Sequence, residues 1–345
     1  MPYSDKTEST PRRRVVHVPV RLRQWILCWR GEHTSSIGGQ VGWWRWLLPY
    51  AVIVPMLVIA GLCKNKTLVF PEGAALAYGV FVLRNPGWVA SRWRLLVVLP
   101  IAATLGLVIA SIQIPLAGEL VLGVTGVVVL LLVMRSFLTP SISAVLIPIV
   151  FQIHSWLYVA TVIGVSALTL GIDVLVRRND AAPRPPYIMK TQLDRSLTFV
   201  VVSVAWVLIA TALRLPTTAL APPLFVSTYG LVGSNLSFRH ALGRSFLFFA
   251  LGFMGVGLLS LLHDSVVVGL VAVTVALTVM ALTRRYHPPV LAVSLLALIA
   301  GPSVEWKFGL GLMVGSLALY GLNRLVEGSV QSVRRNFFTG ADAEF

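Results

Sequence analysis

The chain has 345 residues, 57% of them hydrophobic and only 12% charged, with 28 Lys and Arg against 13 Asp and Glu. A soluble domain carries about 25% charged residues, so an ordinary water-exposed globular fold is excluded. The formal charge of +15 does not point to nucleic acid either. The basic residues stand in loops beside apolar blocks, where Lys and Arg set membrane orientation.

Residues 1–43 read as a basic cytoplasmic tail. The first 20 lack the apolar core of a signal peptide, so no cleaved leader is expected. Residues 18–30 interleave Arg21, Arg23 and Arg30 with Trp25, Ile26 and Trp29. That pattern suits a helix lying in the headgroup layer; the alternative is a disordered tail, the reading that fits residues 1–15. Trp43, Trp44 and Trp46 then form an interfacial aromatic belt.

Twelve apolar segments follow, at about 46–63, 69–83, 95–114, 117–134, 140–153 and 156–176, then 197–213, 220–235, 245–262, 265–282, 288–302 and 307–323. Most approach the roughly 20 residues that cross about 30 Å of hydrocarbon. The second and fifth of each six are short and carry proline, so they read either as spans or as re-entrant half-spans. If all twelve cross with the N-terminus inside, 24 of the 28 basic residues fall in the cytoplasm, leaving Lys64, Lys66, Arg214 and Lys307 outside. This is the bias that short loops show. The expected fold is therefore all-α, a polytopic transmembrane helical bundle in the plasma membrane with both termini cytoplasmic. Cys28 and Cys63 fall near opposite faces, so no disulfide is expected.

The two sets of six repeat at an offset near 150. Tyr78-Gly79 answers Tyr229-Gly230, Arg135 answers Arg284, Pro140 answers Pro289, and Trp156 answers Trp306. Each copy has an even number of segments, so both enter the membrane the same way up, as parallel repeats. The expected organisation is a first membrane repeat at 44–176, a Pro/Arg-rich linker at 177–196, a second repeat at 197–325 and a C-terminal tail at 326–345.

Ionisable groups at membrane depth are functional candidates by default. Glu72, near the outer end of the second segment, reads as a proton or cation site or as an interfacial residue. Arg135 and Arg284 each precede a proline-led helix start by five residues. An arginine beside a helix N-terminus suits a small anion; the structural alternative is that both arginines only enforce topology. His287 reads as a pH-sensitive donor to an anion or as a hydrogen-bonded helix cap. Asp173 and Asn323 match between copies, and Asp173 is spaced to pair with Arg177. No metal-ligand spacing, Walker loop or nucleophile elbow is present, so neither a cofactor nor enzymatic activity is expected.

Residues 284–294, Arg-Arg-Tyr-His-Pro-Pro-Val-Leu-Ala-Val-Ser, resemble the signature of the HPP family of integral membrane proteins. Thr228-Tyr229-Gly230 lies about where that family has another short motif, which brings Tyr229 into the candidate site. In the first copy Leu138-Thr139-Pro140 stands in place of His-Pro-Pro. The resemblance implies passage of a small solute, with nitrite as a candidate. The competing expectation is a non-transporting membrane subunit or envelope-stress factor that acts through protein partners. Expected partners are the lipid bilayer and a small anion, with a homo-oligomer left open.

Overall fold

The computed structural model describes residues 43–89, 93–176, 189–234, 236–262, 264–283, 287–301 and 307–341. All regular structure among them is helical. Twelve helices form the bundle: α1 Leu48–Leu62, α2 Pro71–Phe81, α3 Trp93–Ala110, α4 Leu116–Val133, α5 Pro140–Phe151, α6 Leu157–Val176, α7 Met189–Ala212, α8 Pro222–Leu231, α9 Phe238–Leu262, α10 Ser265–Thr283, α11 Pro289–Ala300 and α12 Lys307–Ala341. They answer the twelve apolar segments one for one. Two boundaries move: α7 starts within the stretch read as linker, and α12 continues through the stretch read as tail.

Eight of the helices (all but α2, α5, α8 and α11) are long and apolar enough to cross a membrane. Their polar faces are few, and large apolar side chains such as Leu62, Val133, Leu175, Leu213 and Leu282 stand exposed on the outside. That is the inverse of a water-soluble bundle and is what lipid allows.

The four short helices have 10 to 12 residues. At 1.5 Å per residue each covers only about 15–18 Å, roughly half the hydrocarbon. Every residue of α2 is buried, and α5, α8 and α11 are buried almost throughout. The long helices therefore form a jacket around a core of short ones.

Contacts fix where α2, α5 and α8 lie along the long helices. The Phe70 amide donates to Met56 Sδ at 3.3 Å, and Met56 stands six residues, about 9 Å, before the end of α1. At its other end α2 returns to the face where α1 begins, since Tyr78 meets Trp46 edge-on at 5.7 Å. Residues 63–81 thus run from one end of α1 back to the other, first as a turn, a single 3-10 turn at Lys66–Leu68 and two extended residues, then as a half-length helix. The segment ending in α5 does the same in the opposite sense. Its first turn lies beside the first turn of α2, through Ser143 and Glu72. Its last residues reach the face where α4 starts, where Gln152 Nε2 donates to Glu119 Oε2 at 2.9 Å.

The second six follow the same plan. Ahead of α8, Trp206 Nε1 donates to the Ala219 carbonyl at 2.9 Å, six residues before α7 ends. At the far end of α8, Arg195 near the start of α7 holds the Tyr229 carbonyl. All four short helices start with proline at N1, the position that lacks an intrahelical N–H partner in any case. The leaders into α2, α5 and α8 are covered by protein: Phe70, Leu138, Leu220 and Ala221 are buried. Irregular backbone at membrane depth is stable only when so covered.

Packing is paired across the two sets. α3 packs on α5 and α6, and α9 on α11 and α12. α4 meets α7, while α10 meets α1; α2 reaches across to α11, and α5 to α8.

Candidate functional site

Two polar centres involve the short helices, one at the starts of α2 and α5, the other between the entry of α11 and the middle of α8. In the first, Glu72 occupies the first turn of α2 and is fully buried. Ser143 Oγ, in the first turn of α5, donates to Glu72 Oε1 at 2.6 Å, while Oε2 has no hydrogen-bond partner. The Tyr158 phenol, whose electrostatics couple to Glu72, donates to the Ala144 carbonyl at 3.2 Å. The sequence places Glu72 near a membrane face. The structure encloses it: the leader of residues 64–70 and the packed helices bury the carboxyl completely, so it does not stand at an exposed face.

In the second centre, His287 Nε2 and Ser227 Oγ are 2.9 Å apart, joining the entry of α11 to α8. The Phe248 ring closes on the imidazole edge-on at 5.8 Å, and the Arg244 charge acts on it. His287 is therefore a hydrogen-bonded group at the helix entry. The position equivalent to Glu72 holds Pro223, so only the first centre contains an acid.

The helix N-termini at these centres concentrate unpaired N–H groups and the positive ends of helix dipoles. Half-helices arranged in this way hold anionic groups at the midplane in several transporter folds. In the first centre that position is taken by the protein's own carboxyl.

Arg135 does not join this arrangement. It has φ 47° just past the end of α4, its side chain is exposed, and its carbonyl accepts from Arg94 Nη1 at 2.6 Å. Five residues to a helix start place an arginine at that start only if the helix begins at the membrane face; here the leader dips to mid-depth first. Arg284 lies outside the described residues. Tyr229 is buried at the far end of α8, where its hydroxyl is held by Gln192 and its ring lies under Arg195 at 4.7 Å. This is a tie between α7 and α8, away from the Ser227–His287 centre. Asp173 and Asn323 are both buried, and Arg177 lies outside the described residues.

A cavity of about 410 Å³ opens between the two halves. Phe151 at the end of α5 forms one wall; Thr217, Thr218 and Ala221 of the leader into α8 form another; Lys307 and Phe308 of α12 close the third. Ala221 is the N-cap of α8, so the cavity runs down to a helix N-terminus. Sequence reasoning placed Lys307 outside without assigning it a role and passed over Thr217 and Thr218. The one available signal was a pair of hydroxyl residues between Pro216 and Pro222, inside an otherwise apolar segment.

Among the described residues no cluster of three His, Cys, Asp or Glu could hold a metal ion. Helices that cross lipid, cores of half-length helices and a cavity between halves define a polytopic integral membrane protein. Residues 192–335 match the family model of the HPP transmembrane region, which covers α8 to α11 completely and most of α7 and α12. The matched stretch contains the His-Pro-Pro residues at 287–289, and the chain is similar to that family over this part of its length. Neither the curated proteins nor the solved structures gave a match.

Proposed function

We propose that the protein is a transporter or channel for a small inorganic anion, with nitrite the candidate that the family resemblance offers. The observation that carries this reading is a set of four proline-led helices of 10 to 12 residues, each too short to span the hydrocarbon alone and each buried within the bundle. Such an arrangement is costly in backbone hydrogen bonds, and membrane proteins keep irregular backbone at depth where it lines or abuts a path. The cavity between the halves supports the same reading. Among the described residues that line it are a cationic side chain, Lys307, and Ala221, the N-cap of α8.

The reading includes an internal duplication of six segments, with both copies the same way up. The paired packing supports it: α4–α7 answers α10–α1, and α2–α11 answers α8–α5. Pairing of this kind follows from a pseudo-two-fold axis along the membrane normal. The protein is placed in the plasma membrane with its basic loops inside, from the charge bias alone.

Flux of nitrite and of other small anions into proteoliposomes tests the proposal, comparing the native protein with Lys307→Gln and Arg284→Ala. Anion uptake that falls in Lys307→Gln supports it. No uptake by the native protein refutes it.

A further inference from the structure

Resting on that transport reading, we propose that Glu72 is a proton-binding site, and that the solute moves with a proton held at its Oε2. Three observations lead to it. Glu72 is completely buried at mid-depth, and among the described residues it makes no ion pair. One carboxyl oxygen is engaged by Ser143 Oγ at 2.6 Å, and the other has no partner. The duplicated position holds Pro223, so the acid is not an architectural requirement of this helix start.

An isolated carboxylate at this depth costs several kcal/mol relative to water, and a proton or a bound cation relieves that cost. The surroundings select the proton. A Cβ on Gly73 would lie 2.9 Å from Val165 Cγ1, and the Phe70 ring, itself fully buried, seals the site against Tyr158 with centroids 6.0 Å apart. Metal cations at oxygen sites commonly need about six ligands. Here Glu72 offers two oxygens and Ser143 one, in packed surroundings with no group of metal-binding side chains. A proton needs only the free lone pair of Oε2. On protonation the Oε2–H bond forms and the hydronium that delivered it becomes water. Oε1 continues to accept from Ser143.

The packed helices bring few titratable groups near this carboxyl, Tyr158 being the one that interacts with it. Within α5 and α11 there is no titratable side chain. On α1, Tyr50 is turned to Thr274 at 2.8 Å. On α6, Tyr158 faces the carboxyl, while Asp173 stands fifteen residues further along, about 22 Å away along the helix.

Infrared difference spectra of the purified protein between acid and alkaline pH read the site directly, and proteoliposome flux reads its use. A protonated-carboxyl band that vanishes in Glu72→Gln and persists in Glu119→Gln supports the proton site. A band that persists in Glu72→Gln, or a spectrum that responds to sodium at fixed pH, overturns it. If Glu72→Gln does not fold, Ser143→Ala serves in its place and should shift the band; an unmoved band counts against the site. In flux, nitrite uptake should rise several-fold with an inward proton gradient, and the rise should be lost in Glu72→Gln. Gradient-independent uptake overturns the coupling. The band together with no uptake in any protein sinks the transport reading and leaves the proton site standing.

Discussion

Gly106 of α3 lies directly against the backbone of Val145 in α5: a Cβ there would stand 2.8 Å from the Val145 carbonyl carbon. Gly255 and Ser294, each 149 residues further on, repeat the contact, with the added Cβ 3.0 Å from the Ser294 carbonyl oxygen. Backbone cannot move aside as a side-chain tip can. Gly106→Val should therefore cost about 1–3 kcal/mol through overpacking, read as a lowered melting temperature in detergent. Gly255→Val should lose as much, while Gly257→Val, where the added carbon meets nothing within 4 Å, should lose little.

A second glycine contact is exchanged between the copies. Gly73 faces Val165 in the first, whereas Leu224 faces Gly315 in the second, each with room for one large residue only. If the halves share a common plan, Gly73→Leu should be strongly destabilising alone and largely rescued by Val165→Gly. A double-mutant cycle measures this. A coupling energy near zero would contradict the exchange.

Arg195 grips the end of α8 by three contacts. Nε and Nη2 donate to the Tyr229 carbonyl at 3.1 and 2.7 Å, and the guanidinium covers the Tyr229 ring. The cation also faces the negative end of the helix dipole. Arg195→Ala should cost about 1.5–3 kcal/mol, as for charge-assisted bonds. Arg195→Lys should recover less than half, because an ammonium cannot reproduce the two-nitrogen fork. Thermal unfolding of the three proteins decides.

Lys307 should act as an electrostatic lure at the cavity. Lys307→Gln is expected to slow anion uptake about three- to ten-fold at low ionic strength, and to do so much less at 0.5 M salt, where screening shortens the reach of the charge to a few ångströms. A reduction independent of salt would argue for a contact role instead.

The orientation has its own test. Cys63 is exposed just past the end of α1. In a Cys28→Ser background a membrane-impermeant thiol reagent should label Cys63 from outside intact cells. Labelling only after permeabilisation would invert the assigned topology.

The fold was largely legible because lipid imposes a coarse code. Apolar runs as long as Leu116–Val133 have few alternatives to a crossing helix, and the prolines at 140 and 289 marked where helices start. The depth of those starts was not legible. Proline fixes the helix N-terminus in sequence, but whether residues 64–70 run along a face or dive to mid-depth depends on what covers them, here Met56, Tyr158 and other distant residues. The candidate site suffered from this gap. Glu72 was left between a proton or cation site and an interfacial residue, and only the tertiary packing shows it fully buried; Arg135 was set beside a helix start, whereas its side chain is exposed past the end of α4. Ser143 carried no signal, since a serine in an apolar helix most often bonds its own backbone.

The reach of α2 across to α11 bears on how the chain is made. The two helices are separated by more than 200 residues, so during synthesis α2 waits for a neighbour that the ribosome has yet to deliver. Until α11 arrives, the leader before Pro71 and the carboxyl of Glu72 have no complete shelter from lipid. Insertion therefore cannot finish helix by helix; the early half must be held in a provisional state, by the insertion machinery or by water at the emerging interface. A chain cut between residues 177 and 188 and expressed as two pieces should accumulate only when both pieces are present.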